Sequence, residues 1–449
     1  MTKLTDDLKS KKLTTPERDD ALEDLKVYGR DPRDAGPIFT REGIETLTRH
    51  ALDSASESTS RNALRCLCNA MFLKPETRQM FVDLGYEEKA CNKLKNDNRD
   101  DEFLISRLIF LTTYGTNIDL RTLIDQFDLA DSVVQNLARH ARQHSKDASK
   151  AKVDPMEEMA LAETLKLLFN VTTFAPKHVG SFTPALPHII TMLHKHDVPP
   201  ASTPLASPLS LLINALVNLQ LDSEQAQSPF YPESEPTSVS ERLIHLLGLS
   251  MKAYGESELE QTVTPLICVI RGVHEHAPKN VQQYIRDSLL PTEEDRQDVL
   301  GRGETLSSSL LRNITNPMIP KFGSAVSHLL FEMSDKDASK FVHNVGYGFA
   351  SGFLFQNNIP IPETASEAAE AARAFNPITG QYLDAEKVQD LPEMTEEEKE
   401  REAERLFVLF ERLKQNGLIS VQNPVEKAFR EGRVQELDDD GADAAEKVD

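Results

Sequence analysis

A short pattern recurs along the chain: an apolar residue, another three positions later, a polar residue two beyond that, then a small or apolar one. It is read in LRCLCNA (64–70), ISRLIFL (105–111), LKLLFNV (165–171), INALVNL (213–219), LICVIRGV (266–273) and SSSLLRNI (307–314). The polar slot holds Asn69, Asn170, Asn218, Arg271 and Asn313, and Phe110 interrupts the pattern in the second segment. Successive slots lie 41, 60, 48, 53 and 42 residues apart, near the roughly 40–47 of armadillo and HEAT repeats once insertions are allowed for. Two such insertions, HSKDASKAKVDP (144–155) and LDSEQAQSPFYPESEPTSVS (221–240), carry the Ser, Pro and charge of loops. No run keeps period-2 alternation with β-branched residues. The predicted fold is therefore all-α: an armadillo/HEAT-like α-solenoid superhelix with a C-terminal linker and an extra helix.

Residues three and four apart share a helical face. Lys166, Asn170 and Thr173 then fall on one line, and Arg65, Asn69 and Phe72 on another. Asn214 with Asn218, Arg271 with His274, and Ser309 with Asn313 and Asn316 make three more. Stacked helical repeats contact only their neighbours, and one helix per repeat lines a concave surface, so these lines become rungs of one groove. The competing reading is that each asparagine caps or tethers a neighbouring loop. Unpaired buried amides cost about 1–3 kcal/mol each, which favours a groove that leaves the slots partly solvated until a partner arrives. An elongated peptide or helix, whose backbone ends or carboxylate need donors, suits such rungs.

Composition narrows the classes. With 449 residues, 39% hydrophobic and 27% charged, most of the chain can bury enough apolar surface to fold. A formal net charge of −22 repels a phosphate backbone, and no basic stretch is interleaved with aromatics, so nucleic acid is not an expected partner. Apolar runs such as PLICVI fall far short of the roughly 20 residues that span a bilayer. MTKLTDDLKSKK lacks the apolar core of a signal peptide, and the expected location is the cytoplasm. Cys66, Cys68, Cys91 and Cys268 read as buried reduced thiols.

Candidate chemistry is thin. GYGFASG (346–352) has Ser351 where a dinucleotide turn needs its third glycine, and its glycines read as close helix packing. HKH (194–196), HEH (274–276) and His140 with His144 lack partners at metal-ligand spacing and read as solvated or groove histidines. There is no phosphate-binding loop, nucleophile elbow or activated cysteine, so neither catalysis nor a cofactor is expected. MTEEEKEREAERLFVLFERLKQNG (394–417) predicts a helix opened by a Thr395–Glu398 capping box and stopped by Gly417, with Leu406, Phe407, Phe410 and Leu413 on one stripe. The expected organisation is a repeat domain (1–355), a linker containing NPITG (356–394), an amphipathic helix region (395–431) and an acidic tail too polar to fold (432–449).

LRCLCNAMF (64–72), LKLLFNVT (165–172), LLFEMSDKDASKFVHNVGYGFASGFL (329–354), NPITG (376–380) and PEMTEEEKEREAERLFVLFERL (392–413) together resemble the synembryn family in its fungal form. These are cytosolic chaperones and guanine nucleotide exchange factors of heterotrimeric G-protein α (Gα) subunits. The resemblance implies an armadillo/HEAT-like superhelix whose groove holds the C-terminal helix of Gα and draws it from the nucleotide-binding core. GDP release follows as a population shift. It matches Asn69, Asn170 and Asn218, with Arg271 and Arg312, to the groove. LKVYGRDP (25–32) resembles the family's basic segment that meets the Gα terminal carboxylate, which implies roles for Lys26 and Arg30. Lys26 stands where the family shows arginine, which removes bidentate capture there. Phe407 and Phe410 resemble the element that covers the opened Gα core. Animal members carry acid-directed phosphorylation sites before NPxTG; Thr364 and Ser366 are the counterparts here, in a thinner acidic run.

The expected groove set is thus Lys26, Arg30, Arg65, Asn69, Lys166, Asn170, Thr173, Asn214, Asn218, Arg271, His274, Arg312 and Asn313, with Leu406, Phe407 and Phe410 contacting the Gα core. The expected protein is a monomer that meets GDP-bound, nucleotide-free or nascent Gα and reaches the plasma membrane with it. The alternative is an armadillo-type adaptor for other peptides. Importin-like adaptors need tryptophan and acidic rungs, whereas this chain has no Trp and places Arg65, Lys166 and Arg271 on its rungs.

Overall fold

A computed structural model of the chain describes residues 1–31, 33, 35–145, 154–360, 376, 378–386 and 401. Thr364, Ser366, Leu406, Phe407 and Phe410 lie outside the described residues. The chain divides into two compact units, Met1–Ala385 and Glu386–Asp449, and the first holds nearly everything described.

Its helices begin with α1 (Thr2–Ser10), α2 (Thr15–Tyr28), α3 (Arg41–Leu52), α4 (Glu57–Leu73), α5 (Glu76–Val82), α6 (Glu87–Leu94) and α7 (Arg99–Thr112). Then come α8 (Leu120–Asp125), α9 (Leu129–Ser145), α10 (Pro155–Phe174), α11 (Leu186–Lys195), α12 (Leu209–Asn218), α13 (Glu224–Phe230) and α14 (Ser238–Ala253). The last are α15 (Glu256–Glu258), α16 (Thr264–His276), α17 (Lys279–Leu289), α18 (Leu306–Ile314), α19 (Pro320–Met333), α20 (Ala338–Val345) and α21 (Tyr347–Gln356). No strand occurs among the described residues, and none of their helices is long and apolar enough to cross a membrane.

Local chemistry places the helix starts. The Asn98 side chain accepts hydrogen bonds from Asp100 and Asp101 backbone N–H at 2.9 and 3.2 Å, and Asp100, Asp101 and Glu102 set negative charge on the positive end of α7. Asp154 accepts from Met156 N–H at 2.9 Å, Pro155 opens α10, and Glu157 and Glu158 follow in its first turn. A π-helical stretch, Leu259–Val263, joins α15 to α16. It brings Glu260 over the N-terminus of α19, where its carboxylate accepts from Lys321 and Phe322 N–H at 3.1 and 2.9 Å.

The helices form two rows. One row runs α4, α7, α10, α12, α16 and α19, each packed on the next. The other runs α3, α6, α9, α11, α14 and α17 in the same manner. Each repeat contacts its neighbours in sequence, which is the armadillo/HEAT-like α-solenoid. Five of the slot segments lie on the first row, but the sixth does not: SSSLLRNI is α18, which packs on α14, α17 and α19, while α16 continues the row onto α19. A 42-residue step fits the repeat period, yet periodicity alone cannot tell one helix of a pair from the other.

Between the rows runs one apolar core, with Phe81, Phe182, Phe230, Phe322 and Phe341 fully buried. All four cysteines are free thiols. Burial pushes the Cys66, Cys68 and Cys91 thiols up to about 12, which keeps them protonated and inert. Part of the segment read as linker, Asn376 and Ile378–Ala385, belongs to the first unit and packs against the 296–300 loop and the start of α21.

Candidate partner-binding face

The first row carries a connected line of side chains from α4 to α12. Phe72 at the end of α4 is 61% exposed, and the Arg107 guanidinium of α7 sits over its ring at 5.9 Å. One turn on from Arg107, Phe110 packs edge-to-face on Tyr114 at 5.4 Å, and Tyr114 packs likewise on Phe174 of α10 at 6.1 Å. Tyr114 and Phe174 remain 42% and 52% exposed. Single exposed apolar residues are ordinary; here three aromatic rings on successive repeats are left open to solvent together.

Beneath the rings the asparagines bind the chain to itself. Asn170 is buried; its Nδ2 donates to Thr113 Oγ1 at 2.8 Å and its Oδ1 accepts from Tyr114 Oη at 3.2 Å. Asn218 Nδ2 donates to Thr173 Oγ1 at 2.7 Å and lies 3.2 Å from both Phe169 O and Thr172 Oγ1. Each asparagine therefore ties its helix to the C-terminal end of the preceding row member. The expectation of slots left partly solvated is corrected at Asn170: its amide is already satisfied, because the preceding repeat's helix end supplies both a hydroxyl acceptor and a hydroxyl donor. Thr173 is exposed and donates to Phe169 O at 2.7 Å. Asn69 and Asn214 are half-buried on α4 and α12.

The cations of the face are held by carboxylates of the same chain. Arg65 reaches Asp100 at 3.3 Å, Lys166 reaches Glu163 at 2.9 Å, and Arg107 approaches the same carboxylate at 3.6 Å. Arg61, unmarked by the slot pattern, bonds Asp101 at 2.9 Å. Burial pushes the Asp101 carboxyl up, but hydrogen bonds from Arg61 and Asn96 outweigh it and hold the group below the ordinary carboxylate range. Lys26 pairs with Glu23 on α2, and Arg30 is exposed just past that helix.

Further along, the expected set disperses. Arg271 remains on the row, 3.4 Å from Glu332 of α19. His274 is buried, with Arg286 of α17 donating to its Nε2 at 3.4 Å. Burial, reinforced by the Arg286 charge, depresses its pKa to about 4. One turn from Arg271 is also a neighbour of the next helix in sequence, and His274 takes that side, away from the role of a groove donor. Arg312 and Asn313 sit on α18: Arg312 holds the carbonyls of Gly301 and Gly303 at 3.0 and 2.6 Å, and Asn313 donates to Ser309 O at 2.8 Å. Asn316 donates to Glu256 at 2.9 Å.

His140, read as solvated or in the groove, is buried. Its Nε2 lies 3.0 Å from Glu102 Oε1, which also accepts from Thr164 Oγ1 at 2.6 Å, and Arg139 pairs with the second oxygen. Burial raises the Glu102 carboxyl, but His140, Arg139 and Thr164 overcome it and hold it below its ordinary value. This network cross-links α7, α9 and α10.

A signal for that line was present in the residues. Two slot helices end in Thr-Thr-aromatic, Thr112-Thr113-Tyr114 and Thr172-Thr173-Phe174, with each aromatic four positions after its slot, and Phe72 stands three after Asn69. The polar-slot pattern passed over it because it weighs polar interruptions and ignores an aromatic at a helix end.

Among known proteins, residues 21–433 match the family model described as the guanine nucleotide exchange factor synembryn, Ric8. The chain is 26% identical over 380 residues to a synembryn-like chaperone of Schizosaccharomyces pombe, covering 80% of this chain and 70% of the relative. It is 24% identical over 434 residues to the chaperone Ric-8A of Macaca fascicularis, covering 89% and 81%. It is 24% identical over 475 residues to Ric-8A of Xenopus tropicalis, covering 95% and 85%. Among solved structures it is similar to one from work on a phosphorylation switch between cadherin and β-catenin, at a TM-score of 0.44 and 12% identity over 76% of this chain and 79% of the other. An engineered protein aligns at a TM-score of 0.41 and 15% identity, over 61% and 96%. The fold assignment rests on the helix packing, and with the family model spanning most of its length, the chain belongs to the Ric8 family of synembryn-type guanine nucleotide exchange factors.

Proposed function

We propose that this protein is a folding chaperone and exchange factor for Gα subunits, and that it holds the Gα C-terminal helix along the α4–α7–α10–α12 row. The observation that carries this reading is the line of exposed rings, Phe72, Tyr114 and Phe174, running across three successive repeats beside Arg65, Arg107 and Lys166. An amphipathic helix lays its apolar face on such a strip, and its terminal carboxylate takes a charge-assisted bond from a neighbouring cation. The cations are partly screened by Asp100 and Glu163 in the free protein, so capture exchanges one carboxylate for another rather than filling an empty site.

No covalent step is involved. Binding energy spent on the helix favours the Gα conformations in which that helix has left the nucleotide-binding core, and GDP departs from those. The same surface shields nascent or nucleotide-free Gα. The protein acts as a monomer in the cytoplasm and accompanies Gα to the membrane. The test is release of labelled GDP from purified Gα, full-length and lacking its last helix, with and without this protein. Faster release and a stable complex are expected only with full-length Gα; no acceleration and no complex with either would overturn the reading.

A further inference from the structure

Beyond α21 the chain returns to the solenoid as a strap. Asn376 Oδ1 accepts from Ile378 N–H at 2.9 Å, and Gly380 N–H donates to Asn376 O at 2.8 Å, which closes the turn on itself. The strap docks through its backbone and through Gln381, whose Nε2 donates to Gln297 O at 3.0 Å. Leu300 N–H donates to Thr379 O at 3.1 Å, Gly348 N–H to Ile378 O at 3.2 Å, and Tyr382 N–H to Arg296 O at 2.9 Å. Glycines admit this approach: at Gly380, with φ of +71°, a Cβ would fall 2.3 Å from Leu300 Cδ1, and at Gly346, with φ of +81°, 3.2 Å from Ile378 O.

Arg296, 6% exposed, faces two ways. Its Nη2 donates to His343 O and Asn344 O, at 2.8 and 3.0 Å, at the C-terminal end of α20, where the helix dipole favours a cation. Its Nη1 donates to Gly380 O of the strap at 3.0 Å. Lifting the strap hands Nη1 to water while Nη2 keeps its helix end, so the charge is not stranded in the interior. The strap also buries little apolar surface: Tyr382 is covered, but Ile378 and Leu383 stay 64% and 51% exposed.

We propose that Asn376 and Ile378–Ala385 form a strap latched by Arg296 that opens as a local unit while the solenoid stays folded. Local openings of this kind are read by native-state hydrogen exchange. The experiment follows the amides of Leu300, Gly348 and Tyr382, whose bonds cross between strap and solenoid, with those of α19 as reference, in the full chain, in Arg296→Gln and in Gly380→Ala. The second variant leaves Arg296 and α20 intact and strains the strap where it meets Leu300. Exchange at these three amides at least tenfold faster in both variants, with α19 unchanged, is the expected result. Exchange of these amides only at the α19 rate in the unaltered chain, no acceleration in either variant, or equal acceleration of α19 in both would overturn the proposal.

Discussion

Asn170→Ala separates an internal tether from a groove donor. The change removes two hydrogen bonds, to Thr113 at 2.8 Å and from Tyr114 at 3.2 Å. A typical intramolecular bond contributes about 1 kcal/mol net, and a donor or acceptor stranded in the interior adds a further about 1–3 kcal/mol. Stranding is limited here, because Thr113 Oγ1 still donates to Phe110 O at 2.7 Å and Tyr114, 42% exposed, finds water for its hydroxyl. The expected loss is therefore about 1.5–2 kcal/mol. Equilibrium unfolding in urea measures it, with hydrogen exchange across α7 and α10 to localise it, since repeat arrays need not unfold in one step. Tyr114→Phe should cost about 0.5 kcal/mol or less, and the double variant should fall short of the sum because one bond is shared. A stability loss below about 0.5 kcal/mol together with a tenfold or greater loss of Gα peptide binding would refute the tether and restore Asn170 as a donor to the partner.

The opposite pattern is expected at the rings: Phe174→Ala should leave the urea midpoint within the small effect usual for exposed sites, yet weaken binding of the Gα C-terminal peptide by about 2 kcal/mol, roughly thirtyfold, in calorimetry. Glu260→Ala uncaps α19 by removing the acceptor of Lys321 and Phe322 N–H, for a loss of about 1–2 kcal/mol, with faster exchange confined at first to the opening turn of that helix; Glu260→Gln, which keeps one acceptor, should lose less. His274 has a folded pKa near 4 against about 6.5 unfolded, so below pH 6.5 the unfolded chain binds the extra proton. Stability should fall as pH drops from about 6.5 to 4, by on the order of 2–3 kcal/mol from this group, and His274→Gln should flatten that part of the urea-midpoint profile.

The all-α class, the repeat and five of its six row helices were legible in the linear chain, because apolar spacing is set by helix geometry and caps such as Asn98 and Asp154 act within a few residues. The slots were legible as positions, too: Asn170 and Asn218 do recur at equivalent places on consecutive row helices. What Asn170 faces was decided by tertiary packing, since a buried amide and a solvent-facing one occupy the same line of a helix until a neighbouring repeat brings Thr113 and Tyr114 against it. His274, one turn from Arg271, went to α17, and SSSLLRNI went to the other side of its pair, for the same reason. Helical periodicity specifies which residues share a face, whereas what that face meets depends on chain segments tens of residues away, which only stacking brings within hydrogen-bonding distance.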